Sequence, residues 1–220
     1  MEYEKYLEKN RDAMIASLQK VIRINSEEKD PVTDSDGRIY PFGAGVQEAL
    51  EATLEIGRQL GFEVRNVDNY GGHIDLPGKN GKIMAIIGHL DVVPAGSGWS
   101  HEPYGGEIAD GKMYGRGTLD DKGPVISCLY AMKALKDAGF VPEPTVRLIL
   151  GLDEESGWKG IKYYFEKEKE DITNGIRQYF ELNDNSFRQL NQELLFIAAN
   201  DANVKGLTSM ENVQEPDYKA

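Results

Sequence analysis

Cysteine and histidine are both scarce in this 220-residue chain, which has one cysteine, Cys128, and three histidines, His73, His89 and His101. A single thiol excludes an intramolecular disulfide framework and fits a reducing compartment. Long apolar runs are also absent, none approaching the roughly 20 residues that a helix needs to cross a bilayer. The opening Met1-Glu2-Tyr3-Glu4-Lys5-Tyr6 is polar and acidic, without the basic-then-apolar pattern of a secretory signal. These absences predict a soluble, cytoplasmic protein with no membrane partner. Cations are the last shortage: 25 Lys and Arg face 37 Asp and Glu, for a net charge of −12. That balance argues against nucleic-acid binding, which relies on clustered Lys and Arg. With 40% apolar residues, the chain can bury one substantial core, so one domain, or one with an appendage, is expected.

The elements follow from periodicity. Tyr6, Leu7, Met14, Ile15, Leu18, Val21 and Ile22 recur at three- and four-residue spacings, predicting an amphipathic helix over 3–24. Residues 25–45, rich in Asp, Ser, Pro and Gly, read as a long loop, and loops of that length in compact domains are often functional. A second helix is expected over 45–60, stopped by Gly61. Phe62 to Val67 alternates as a half-buried strand, and Asn80-Gly81 reads as a tight turn joining the His73 to Leu76 strand to the next one. Asp110-Gly111 marks a hairpin. A third helix starts at Lys122, with Pro124 in its first turn and Gly139 at its end. Cys128 lies one turn before Met132 in that helix and reads as core.

Two apolar runs, Ile83 to Ile87 and Val146 to Leu150, read as strands buried on both faces of a mixed, largely parallel sheet in an α/β fold. In such sheets ligands collect at the carboxyl ends of the strands. Three acid or imidazole clusters stand there: Gly88-His89-Leu90-Asp91, Gly115 to Gly123 with Asp120 and Asp121, and Gly151 to Gly157 with Asp153, Glu154 and Glu155. A lone histidine is more often structural than a ligand, but Asp91 two residues on could fix the His89 tautomer while the other ring nitrogen binds a metal. Either Asp120 or Asp121 could cap the third helix, leaving the other free to bridge two cations roughly 3.5 to 4 Å apart. In the triplet 153–155, one carboxylate could bind metal while its neighbour serves as general base. A solvated turn would explain an isolated acidic triplet, but not one delivered by a buried strand.

Taken together, Gly88-His89-Leu90-Asp91-Val92-Val93-Pro94, Tyr114 through Pro124 and Asp153-Glu154-Glu155-Ser156-Gly157-Trp158 closely resemble the peptidase V-type dipeptidases of the co-catalytic di-zinc exopeptidases, relatives of aminoacylase and carboxypeptidase G. Looser similarity, including Pro41-Phe42-Gly43 and Asp68-Asn69-Tyr70, extends the resemblance from near the N-terminus to about Glu166. It implies two zinc ions, with manganese or cobalt as alternatives. His89 would bind one ion, Asp120 would bridge both and Glu155 would bind the second. Glu154 would be the general base, Asp91 would orient His89, and the Asp120-Asp121 peptide would be cis. Arg116 and Lys122 match the motif and are expected as structural ion-pair partners. The implied substrates are dipeptides with a free amino end, cleaved by metal-activated water.

The resemblance is expected to cover residues 1–170, the N-terminal part of such a catalytic domain, followed by a tail at 171–220 with hints of helix. All three histidines precede Asp120, so the late histidine that completes the family's second metal site is missing. Each zinc would then keep two of its usual three protein ligands. An incomplete domain would also expose a face open to self-association or to a second chain. Two rival readings follow: an N-acyl-amino-acid amidohydrolase of the same family, separable by comparing a dipeptide with its N-acetylated form, and an inactive fragment or partner-binding half-domain.

Overall fold

A computed structural model of the chain describes residues 4–168. Helix α1 (Glu4–Ile22) turns its stripe inward, burying Val21 and Ile22 and packing Met14 and Leu18 against the core. The expected loop after it holds a small antiparallel hairpin, β1 (Val32–Thr33) with β2 (Ile39–Tyr40). Asp34 ties that hairpin, accepting the Asp36 and Arg38 backbone N–H groups and the Tyr40 hydroxyl. Helix α2 (Ala44–Gln59) ends where Gly61 takes the left-handed φ of 78° that the sequence predicts.

The central sheet has the order β3-β4-β8-β5, formed by β3 (Glu63–Val67), β4 (Gly71–Leu76), β8 (Thr145–Gly151) and β5 (Ile83–His89). The fold is α/β with a mixed sheet flanked by helices, as expected. The parallel share is smaller than expected: among the described strands only β5 and β8 pair in parallel, whereas β3–β4 and β4–β8 are antiparallel. Nor does Asn80-Gly81 join paired neighbours, because β8 inserts between β4 and β5 and bonds to both. Strand β8 is buried from Val146 to Gly151, but β5 is not, with Met84 49% exposed.

Helices α2 and α3 (Lys122–Asp137) pack on one face of the sheet, and α1 lies against both. Gly57 of α2 sits so close to Ile74 that a Cβ would come within 2.9 Å of its Cδ1, so the missing side chain lets helix and sheet meet. The core of Leu50, Leu54, Ile74, Ile126, Leu129 and Leu148 fills this layer. Helix α4 (Lys159–Lys167), which periodicity did not reveal, packs against β4. The hairpin β6 (Glu107–Ala109) and β7 (Lys112–Tyr114) turns at Asp110-Gly111, both at positive φ. None of the described helices is long and apolar enough to cross a membrane. The helices expected in 171–220 lie outside the described residues.

Candidate metal centre

The parallel pairing of β5 with β8 sets His89 opposite Gly151, so both strands end together and deliver their next residues to one edge. His89 is buried. Its Nδ1 lies 3.0 Å from the Asp91 carbonyl oxygen and 3.3 Å from Asp91 Oδ1, and its Nε2 lies 3.0 Å from Asp120 Oδ1. The other Asp91 oxygen accepts the Glu155 backbone N–H at 2.9 Å. Asp91 therefore joins the imidazole from β5 to the acidic loop after β8. Glu154 Oε2 stands 4.0 Å from His89 Nε2.

The glycine loop before α3 brings Asp120 over the strand ends, and the Asp120–Asp121 peptide is cis, as the resemblance implies. Asp121 stands at the N-cap of α3, yet its side chain makes no capping bond. Instead Oδ2 accepts the His89 backbone N–H at 3.0 Å. That corrects the capping alternative: the helix's orphan donors lose to a strand-end amide buried beside the carboxylate. The approach requires Gly88, where a Cβ would come within 2.7 Å of Asp121 Oδ2 and 2.6 Å of Val125 Cγ2.

Lys122 is not an ion-pair partner as expected. Its fully buried ammonium donates to the Val21 and Ile24 carbonyls at 3.1 and 2.7 Å, closing the end of α1, and burial lowers its pKa to about 8. Arg116 lies over the Trp99 ring at 5.4 Å, with Nη2 3.5 Å from the Pro94 and Ala95 carbonyls. Asp153 holds the start of α4, accepting the Lys159 and Gly160 backbone N–H groups. Ser26 donates to the Leu90 carbonyl at 2.6 Å and so pins the segment after α1 to the strand end. The sequence reading missed Asp121, Asp153 and Ser26 as positioning groups. The doubled Asp was the only visible signal, since the Ser26 contact spans 64 residues.

His89, Asp120 and Glu155 each offer one ligand atom, all within 4.8 Å of one another. The electrostatics of the cluster are set by burial and by its crowded carboxylates. Burial alone would push the His89 pKa down, but the Asp120 and Asp91 carboxylates beside it raise it to about 11. Burial raises Asp121 to about 7. Burial, then the negative charge of Asp120, raises Glu155, while the His89 hydrogen bond lowers Asp120. One imidazole nitrogen, once it gives up its proton, and two carboxylate oxygens crowded together form a donor set that fits a divalent cation.

A model of peptidase family M20/M25/M40 matches residues 85–199. The chain belongs to this peptidase family. The match begins inside β5, contains all three clusters, and runs past Glu166, where the motif-based resemblance stops. Among curated members, the Beta-Ala-Xaa dipeptidase of Lactobacillus delbrueckii subsp. lactis is 39% identical over 170 residues, covering 76% of this chain and 35% of that protein. Among solved structures, human carnosine dipeptidase 1 superimposes with a TM-score of 0.64 at 26% identity, covering 79% of this chain and 38% of that one. The dipeptidase Dug1p of Saccharomyces cerevisiae, at 23% identity and a TM-score of 0.62, shares the fold over 80% of this chain and 38% of its own. The chain thus spans about a third of the length of the relatives it matches. Membership in a metallopeptidase family agrees with the divalent-ion chemistry of the donor set.

Proposed function

We propose that the chain contributes to a zinc-dependent dipeptidase that hydrolyses the peptide bond of dipeptides, with residues 1–170 forming part of its catalytic domain. The observation that carries this reading is the convergence of His89, Asp120 and Glu155 within 4.8 Å. With Asp120 shared between two ions, His89 and Glu155 would each complete a pair of protein donors, one short of the three that a catalytic zinc normally takes. Manganese or cobalt would suit the same nitrogen and oxygen donors. When bound, such an ion supplies Lewis acidity to polarise the scissile carbonyl and to make water a nucleophile near neutral pH.

The chain's own groups do the rest. Asp91 orients the imidazole, its carbonyl and carboxylate both close to Nδ1, so that Nε2 faces Asp120. Its second oxygen, through the Glu155 amide, keeps the acidic loop in register with His89. Glu154, on the same loop and 4.0 Å from Nε2, accepts the proton from the attacking water and returns it to the departing amine. The nearby relatives named as dipeptidases support the substrate class, and the single cysteine fits a cytoplasmic setting.

The test is hydrolysis of a dipeptide by the purified chain with added zinc or manganese, against a chelator-treated control. Glu154→Gln is expected to abolish turnover with metal content nearly intact, and Asp120→Ala to lose both. Full activity in either variant sinks the assignment, and preference for the N-acetylated dipeptide would move the substrate class to acyl-amino acids.

A further inference from the structure

A cavity of about 560 Å³ is bounded by the segment after α1, the exit of the β1–β2 hairpin, the β3–β4 turn and the first residue of α4. None of His89, Asp91, Asp120, Glu154 or Glu155 lines it. Its volume lies within the range of small-molecule sites. The aromatic wall is fixed in place: Phe42 is buried and meets Tyr70 edge-on at 5.8 Å, and Tyr70 stacks on Tyr163 at 4.1 Å. Gly160 allows the start of α4 to close against that wall, since a Cβ there would come within 2.4 Å of the Tyr70 carbonyl and 3.1 Å of Phe42 Cε2. Across the opening, the Lys29 amide donates to the Phe42 carbonyl at 3.1 Å.

Charges of both signs line this wall. Lys29 is already engaged, its Nζ 2.9 Å from Glu27 Oε2. Glu28, Asp30 and Lys159 also line the cavity and form no side-chain hydrogen bond or salt bridge among the described residues. The two carboxylates and the ammonium are exposed to solvent, and together with the aromatic wall they match a particular chemistry. An ammonium group would meet Glu28 and Asp30, a carboxylate would meet Lys159, and an apolar side chain would lie on Tyr70.

We propose that this cavity is a second binding site, separate from the metal centre, for a zwitterion carrying an apolar side chain, either a free α-amino acid or a short peptide. The choice of ligand stands on the cavity's own charges. It acquires a regulatory meaning only if the dipeptidase reading also holds, for then the ligand is product or substrate. The route to the centre is short in the chain: the backbone N–H of Lys159 donates to Asp153 Oδ2, and Glu154 and Glu155 follow Asp153 directly. Occupancy at Lys159 would thereby bear on the loop that carries the general base.

The test uses the full chain stripped of metal by a chelator, so that binding at the metal centre is suppressed. Calorimetric titration with leucine and with leucyl-leucine is expected to give saturable binding, and the tighter of the two identifies the source. Leucinamide, without the carboxylate, and N-acetyl-leucine, without the ammonium, should each bind about tenfold more weakly, as for loss of one charge-assisted hydrogen bond. Lys159→Gln keeps the backbone donor and should weaken leucine about tenfold while leaving leucinamide unchanged. The double variant Glu28→Gln with Asp30→Asn should weaken leucine while leaving N-acetyl-leucine unchanged. Glu155→Gln should change neither. Absence of saturable binding overturns the proposal, as does binding lost in Glu155→Gln but retained in Lys159→Gln. Because no turnover is measured, failure of the dipeptidase reading would leave this result standing.

Discussion

The chain contains the pattern of a histidine two residues before an aspartate twice, at His73-Ile74-Asp75 and His89-Leu90-Asp91, and the two copies have opposite fates. Both imidazoles are buried and both lie on strands of the same sheet. Around the first, charges balance. Arg147 grips Asp75 through two hydrogen bonds of 2.9 and 2.8 Å, Glu168 lies 3.7 Å from the same guanidinium and 3.1 Å from Arg65, and the Tyr164 hydroxyl lies 2.8 Å from His73 Nδ1. Around the second, Asp91, Asp120, Asp121, Glu154 and Glu155 crowd one imidazole, and Lys122 turns its ammonium away to the end of α1. Identical spacing therefore says little. The surplus of negative charge separates a cluster whose charges are paired within the fold from one whose donors suit a cation.

Removing a cation from the balanced cluster should be the most damaging change. Arg147→Met leaves Asp75 and Glu168 buried without their shared partner, and is expected to cost about 3–5 kcal/mol, read from urea denaturation. Adding Asp75→Asn should recover much of that loss, because the two residues act as a unit. A cost below about 1 kcal/mol would break the comparison from this side.

The metal centre should behave in the reverse way. Glu155→Gln removes one of several crowded carboxylates, so the metal-free chain should keep its stability or gain slightly. Zinc affinity, measured by competition with a fluorescent chelator, should fall about 100-fold. A variant that unfolds, or that binds zinc as before, would erase the distinction between the two clusters.

How much of this was legible in advance depended on how local each signal was. Helices α1, α2 and α3 and the β6–β7 hairpin could be read because their periodicity and their glycines act within a few residues. His89, Asp120 and Glu155, which the fold brings together, could be singled out because each stands at or just after a strand or loop marked by glycine. Sheet order could not: the turn at Gly81 looked like a hairpin, and only the later strand β8 reveals that a third strand separates its two sides. The partners of Lys122 were hidden for the same reason, lying about 100 residues away at the end of α1. A buried ammonium facing helix carbonyls and one facing a carboxylate leave the same letter in the sequence.

The smallest effect is the most specific to the cluster around His89. In the metal-free chain its pKa stands at about 11, above the ordinary 6.5, because the Asp120 and Asp91 carboxylates outweigh the opposing effect of burial. A group raised in the folded state adds stability that is fully present below its unfolded pKa and is lost as pH climbs through the folded value. His89 should therefore cost the metal-free chain stability as pH rises above about 6.5. Two neighbours act in other windows. Asp121, raised to about 7 by burial, loses its contribution between its ordinary 3.8 and that value. Lys122, lowered to about 8 by burial, gains between that value and its ordinary 10.5. Between pH 6.5 and 8 the imidazole dominates, and the metal-free chain should lose about 1–2 kcal/mol; His89→Gln should flatten that slope. Saturating zinc should reverse its sign, since a ligating imidazole must give up its proton and metal affinity grows as protons become scarce. A slope that is the same with and without zinc would mean that this imidazole, like that of His73, serves the fold alone.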